Sequence, residues 1–231
     1  MKLKFGPVVL DGRGSVGGTT FSRNHFGAYT RARTTPVNPR TAGQSAVRQA
    51  MSDLSVIWST TLSAAQRAAW DLYGRSVAML DKLGATIYPT GQNHFIRSNL
   101  AWKRQLGIQT VAGPVIFELP PLDGAFDVTA SEATQQVSII FNVGLAWVGE
   151  DGAGMLVYQG SPQNAQRNFF NGPWRSISAI WGSVAAPPAS PFAMAVDFPI
   201  AQGQHLWVYA RIRRFDGRIS EQMRADCFCG A

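Results

Sequence analysis

The chain has 231 residues, 45% of them hydrophobic, with seven Trp and thirteen Phe, enough apolar material for one large core or two small ones. Its formal charge of +7 is uneven: residues 1–112 hold 14 Lys/Arg against 4 Asp/Glu, and residues 113–231 hold 7 against 10. No apolar run reaches the roughly 18 residues of a membrane span, and residues 1–10 are too short and too broken by Gly6 and Pro7 for a signal peptide, so the chain reads as soluble and made in a cytoplasm.

Residues 1–40 read as an extended basic arm. Residues 8–10 are a short apolar run, residues 12–18 a flexible bend, and residues 19–24 and 28–34 a hairpin around His25, Phe26 and Gly27. The 41 residues from Gly12 to Ser52 hold six arginines and no acidic residue. Such a segment is too basic and too glycine-rich to bury a core of its own, and it gains order by lying on something acidic. Arg outnumbers Lys 17 to 4 along the chain, which favours contact over mere solvation.

Residues 41–112 read as a small three-helix bundle. Pro36 and Pro39 precede a capping box, Thr41 with Gln44, and Val47, Met51, Leu54 and Trp58 form one stripe over residues 42–58. Ser63 with Gln66 repeats the box, and Ala65, Ala69, Leu72 and Tyr73 mark a second helix, expected to pack antiparallel on the first. Thr90 opens a third helix with Phe95, Ile96, Leu100, Trp102 and Leu106 on its apolar side and Gly107 as its stop.

Residues 113–231 change to short β-rich runs at 125–129, 137–143, 155–159, 174–181, 192–198, 206–215 and 218–226. Seven strands at this spacing predict an antiparallel β-sandwich, its last two joined through a two-residue Asp216-Gly217 turn. In the sixth strand Leu206, Val208, Ala210 and Ile212 belong to the core by period, with Trp207, Tyr209, Arg211 and Arg213 facing the other way. Cys227 and Cys229 flank Phe228, too close in sequence for an unstrained disulfide and too few for zinc, and read as free thiols.

Residues 206–221 resemble the last two strands of a fibronectin type III or immunoglobulin-like domain, with Trp147 or Trp174 as its core tryptophan. This resemblance implies architecture and no activity. A second one covers residues 15–107, about 40% of the chain. Through Pro36-Val37-Asn38-Pro39, Gln66-Arg67-Ala68-Ala69-Trp70 and Gly91-Gln92-Asn93, it is similar to a group of uncharacterised proteins of tailed phages, prophages and environmental bacteria. It implies a structural protein of a virus particle and brings no catalytic residue with it.

The remaining motifs are poor in chemistry. Gly12, Gly14 and Gly17 satisfy G-x-G-x-x-G, but a dinucleotide site needs a helix directly after them and an acid about 20 residues on, and the next acid is Asp53. His25, His94 and His205 form no metal-binding pattern, and Glu150 with Asp151 reads as a solvated turn. The first two helices lack the glycine of a helix-turn-helix connector at residues 59–62. Trp58, Trp70, Trp102 and Tyr73 read as core by spacing, with Trp70 the exception: Ala69 and Leu72 claim the inward face of its helix, which makes Trp70 a candidate interface anchor.

The sequence therefore predicts an α+β multidomain chain: an arm, a helical bundle and an immunoglobulin/fibronectin-like sandwich. Its expected function is non-enzymatic, without catalytic residue, cofactor or metal: a phage virion component, either capsid decoration or cement or a tail or connector protein. It would dock on neighbouring subunits, in multiple copies, by strand addition and charge pairing through Arg13, Arg23, Arg31, Arg33 and Arg40, with Phe21 and Tyr29 as anchors. The alternative is non-specific nucleic-acid binding by the same arm, and a third reading is a host-surface adhesin acting through an exposed Trp207 and Tyr209 face.

Overall fold

The structure is a computed structural model that describes residues 2–3, 12–24, 26–35, 37–81, 83–107 and 109–231, without the side chains of Gln105 and Leu106. The apolar run at 8–10, His25, Pro36 and the Leu106 end of the third helix's stripe lie outside the described residues.

Strands β1 (Gly14–Val16), β2 (Thr19–Asn24) and β3 (Gly27–Ala32) form an antiparallel meander. The expected bend at 12–18 thus contains a strand, and Gly17, at φ 55°, supplies the left-handed turn that carries Val16 back to its partner Thr19. The three spaced glycines lead into strand β2 and not into a helix. Lys2 runs beside the far edge of the meander: it bridges to Tyr29, and the Leu3 N–H donates to the Ala28 carbonyl at 2.9 Å. The Lys2 ammonium also hydrogen-bonds Asp81, between the two-residue strands β4 (Met79–Leu80) and β5 (Thr86–Ile87), and holds that carboxyl down at about 2.

Helices α1 (Ala42–Val56), α2 (Ala64–Ser76) and α3 (Gly91–Leu106) begin at the three expected caps. The side chains of Thr41, Ser63 and Thr90 accept from the N–H groups of Gln44, Gln66 and Asn93 at 3.2–3.3 Å. At Ser63 the box is reciprocal, since Gln66 Oε1 takes the Ser63 N–H at 2.9 Å. Helix α1 runs into a single π turn, Ile57–Thr61, closed by the Leu62 N–H on the Ile57 carbonyl, and Leu62 drops into the core. Gly107, at φ 70°, ends α3 in a left-handed cap.

The expected α1–α2 pair is not the main contact, because α3 packs on both helices and Leu54, Trp70, Tyr73 and Phe95 meet around it. Two glycines permit the approach of α3 to α2. A Cβ on Gly74 would stand 2.6 Å from the Pro89 carbonyl oxygen, and one on Gly91 2.5 Å from the Asp71 nitrogen. Buried Asn99 then pins the exit of the helix, exchanging hydrogen bonds with Thr110 N–H at 2.7 Å and Thr110 O at 3.1 Å.

The rest is a seven-stranded sheet of β6 (Asp127–Ser131), β7 (Gln136–Ile140), β8 (Gly154–Gly160), β9 (Trp174–Trp181), β10 (Phe192–Ala195), β11 (His205–Arg213) and β12 (Met223–Gly230), in the order β10-β7-β6-β12-β11-β8-β9. Every pair is antiparallel except β12 with β6, and β10 approaches β9, so the sheet is nearly closed around its core. Leu206, Val208, Ala210 and Ile212 point inward against Ile139, Met155 and Ile180, as their period requires. Trp147, in the loop before β8, is buried in the core of the sheet, while Trp174 stays half-buried. The last hairpin differs from the expected two-residue turn. Arg214 N–H pairs with the Arg218 carbonyl around a three-residue loop that ends on Gly217 at φ 92°, and β12 proper begins at Met223.

The molecule is thus α+β, three helices against a mostly antiparallel sheet, and the two parts share a buried seam. Trp102 of α3 packs with Leu156 and Ile219, and its ring lies 4.5 Å from that of Trp181. Arg97 donates to the carbonyls of Ile219 and Ser220 at 2.7 and 2.9 Å.

Candidate functional site

Alternation along the meander distributes the arm's side chains. Register pairs Phe21 with Thr30 and Ser22 with Tyr29, so Phe21 and Arg23 share one face while Tyr29 and Arg31 share the other. The two expected anchors therefore lie on opposite sides of one thin sheet, each half-buried. Arg13 precedes β1, and Arg33 and Arg40 come after β3; all five predicted arginines are exposed. Among the described residues the side chains of Arg13, Arg31, Arg33 and Arg40 meet no carboxylate. Val16 and Val37 are 74% and 88% exposed. Among the described residues from 12 to 40 only Thr30 is buried, so the meander has backbone pairing and no apolar core.

Trp70 is not an outward anchor. It is fully buried, edge-on to Phe95 and Tyr73, covered by residues 110–113 and by the Gly217 turn of the sheet. Leu72, assigned inward by the sequence, is 53% exposed. The buried face of α2 is instead Trp70, Tyr73 and Gly74, continuing into Val77. That i, i+3, i+4, i+7 pattern was present in the sequence, but Gly74 carries no apolar signal.

Trp207 also fails as an exposed ligand face. Residues 161–173 fold across it, stacking Phe170 on its ring at 5.7 Å, and His205 packs on it at 3.7 Å. His205 Nε2 meets Asp226 at 2.6 Å. Tyr209 remains half-buried, stacked on Tyr158 at 4.4 Å with the planes 11° apart.

His94 is buried with neither ring nitrogen hydrogen-bonded, edge-on to Tyr73, and burial lowers its pKa to about 4. Cys229 is buried, and burial pushes the neighbouring Cys227 thiol up to about 12, which makes it unreactive near neutrality. Glu150 does not sit in a solvated turn with Asp151: it pairs with Arg214, while Asp151 accepts the Val184 N–H at 3.0 Å. No group of three or more His, Cys, Asp or Glu capable of holding a metal is present among the described residues, and no described helix is long and apolar enough to cross a membrane.

No protein-family model, curated protein or solved structure matches this chain. Among the described residues the arm offers an exposed basic surface. The sequence did not single out a second basic region, where Arg104 of α3 faces Arg211 and Tyr158 of the sheet. Its one signal was Arg211, placed on the outward register of β11.

Proposed function

We propose that this protein is a non-enzymatic structural component of a phage virion, a decoration, cement, tail or connector subunit that docks on neighbouring subunits through its basic arm. The observation that carries the reading is the exposed meander: three strands held by backbone pairing, with exposed Val16 and Val37 and, among the described residues, no carboxylate against Arg13, Arg31, Arg33 or Arg40. A three-stranded sheet normally needs an apolar face packed on something to persist. A neighbouring subunit that supplies a strand edge, an apolar face and carboxylates would meet all three needs, and repetition in a symmetric particle would compensate for weak contacts through avidity. Arg13, Arg31, Arg33 and Arg40 are the charge contacts in this reading, with Arg23 beside Phe21 on one face and Tyr29 on the other.

The sheet fits the same reading as an immunoglobulin/fibronectin-like sandwich projecting from the arm and helices. β10-β7-β6 and β9-β8-β11-β12 correspond in order to the two layers of such domains, with the parallel β6–β12 contact at their junction.

The test is limited proteolysis of the purified chain beside intact particles from the same source. Cleavage within residues 12–40 of the free protein, with protection in particles, is the expected result. An arm that resists protease when free, or absence of the chain from particles, overturns the proposal.

A further inference from the structure

The outer face of the β9-β8-β11-β12 layer is covered at one end by α3 and at the other by residues 161–173. Between the covers runs a trough. One chamber of about 380 Å³ and another of about 320 Å³ share Arg104 and Tyr158 as their common wall. A third, of about 540 Å³, continues from the same two residues to Trp174. Each has the size of a small-ligand site.

The chemistry of the first two chambers is one-sided. Their described lining holds Arg97, Arg104 and Arg211 and no carboxylate. Arg97 is engaged with the Ile219 and Ser220 carbonyls and with Glu221. Arg104 and Arg211 have no hydrogen-bond or ion-pair partner among the described residues. Burial raises the pKa of Tyr158 and of Tyr209, the latter to about 12, so at neutral pH both phenols keep their protons and donate. The third chamber adds Arg175 and Asp197, which pair with each other at 3.2 Å, so the charge left over along the trough is that of Arg104 and Arg211, and it suits an anionic ligand whose oxygens accept, as phosphate oxygens do.

Aromatic rings flank these cations. Trp181, 40% exposed, lines the first chamber and Trp174 the third, at opposite ends of β9. Their partners on β8, Gly160 and Gly154, are six residues apart, which sets the two backbone positions about 20 Å apart on the same face. Each indole packs on the fold from one side, Trp181 against Trp102 and Trp174 against Phe170, Tyr209 and Arg224, and guanidinium groups between two such rings match alternating phosphates and bases. A duplex does not enter a channel walled by α3 on one side and the sheet on the other.

We propose that this trough binds a single strand of nucleic acid, with Arg104 and Arg211 on phosphates and Trp174 and Trp181 beneath bases. The site is separate from the arm and does not depend on the arm's role. It is tested by fluorescence anisotropy of a labelled oligothymidylate with the full chain across a salt series. The double variant R104A/R211A should bind about tenfold more weakly, and its dependence of log K on log salt should be shallower by about 1.4, two phosphates at roughly 0.7 each. Trp181→Ala should weaken binding without changing that slope, and Arg75→Ala, which removes an exposed charge elsewhere, should bind as the wild type. Circular dichroism checks that each variant is folded.

Three outcomes overturn the proposal. The first is an oligothymidylate affinity that is undetectable or unchanged in R104A/R211A, which leaves any polyanion binding to the arm. The second is equal competition by a duplex of the same charge, and the third is equal competition by a sulfated glycan, which reduces the trough to a general anion exchanger.

Discussion

The indole N–H of Trp70 donates to the carbonyl oxygen of Val111 across 3.1 Å, joining the middle of α2 to the segment that leads into the sheet. A Cβ on Gly217 would stand 3.3 Å from Cη2 of this ring, so the turn of the sheet lies against the indole and Trp70 anchors an internal joint. Trp70→Ala should cost about 3–5 kcal/mol, a cavity term plus a lost hydrogen bond, and Trp70→Phe less. Urea denaturation of the free protein measures both. Unchanged stability in Trp70→Ala would mean that the ring is not packed within the chain.

This residue also shows how far the sequence carries. Caps are local, so Thr41, Ser63 and Thr90 announce their helices within four residues, and Gly107 announces an end. The strand faces of β11 come from a period of two and needed no tertiary knowledge. On α2, however, apolar residues lie on both sides, and which side is buried depends on α3 and residues 110–113 arriving from elsewhere. The trough was hidden for the same reason: its cations come from a helix and a strand more than 100 residues apart in sequence, and Arg104 alone reads as an ordinary basic residue in a last turn.

Arg97 reaches from α3 into the β11–β12 connection, with its side chain 17% exposed and its charge divided between two carbonyls and Glu221. Arg97→Ala should cost about 3 kcal/mol, since it strands the Ile219 and Ser220 carbonyls. Arg97→Lys should recover little, because one ammonium cannot reproduce the fork. Chemical denaturation of the two variants side by side checks this, and full recovery by lysine would show that charge alone matters.

His94 gives the molecule an acid sensitivity. Its folded pKa of about 4 lies below the ordinary 6.5, chiefly through burial and then through Arg97. The unfolded chain therefore binds the extra proton first as pH falls. Stability is unaffected by this group above 6.5, declines between 6.5 and about 4, and levels off below, a total of about 3 kcal/mol. Urea titrations at pH 7 and pH 5 should differ by about 2 kcal/mol on this account, and His94→Gln should remove that share. An identical difference in the variant would assign the sensitivity elsewhere.

Gly91→Ala tests the α2–α3 approach. A Cβ there meets the Asp71 and Trp70 backbone at 2.5–2.6 Å, and backbone cannot step aside as a side-chain tip can. The substitution should cost about 1–3 kcal/mol despite the higher helix propensity of alanine. A thermal midpoint at or above that of the wild type would show that the helices separate without loss.

Helix α3 carries Phe95 in the helical core and Trp102 in the seam with the sheet, so neither part can lose it without exposing apolar surface of the other. Melting is consequently shared: helices and sheet should give one calorimetric transition, with the arm meander opening earlier and separately because its strands contribute nothing to either core.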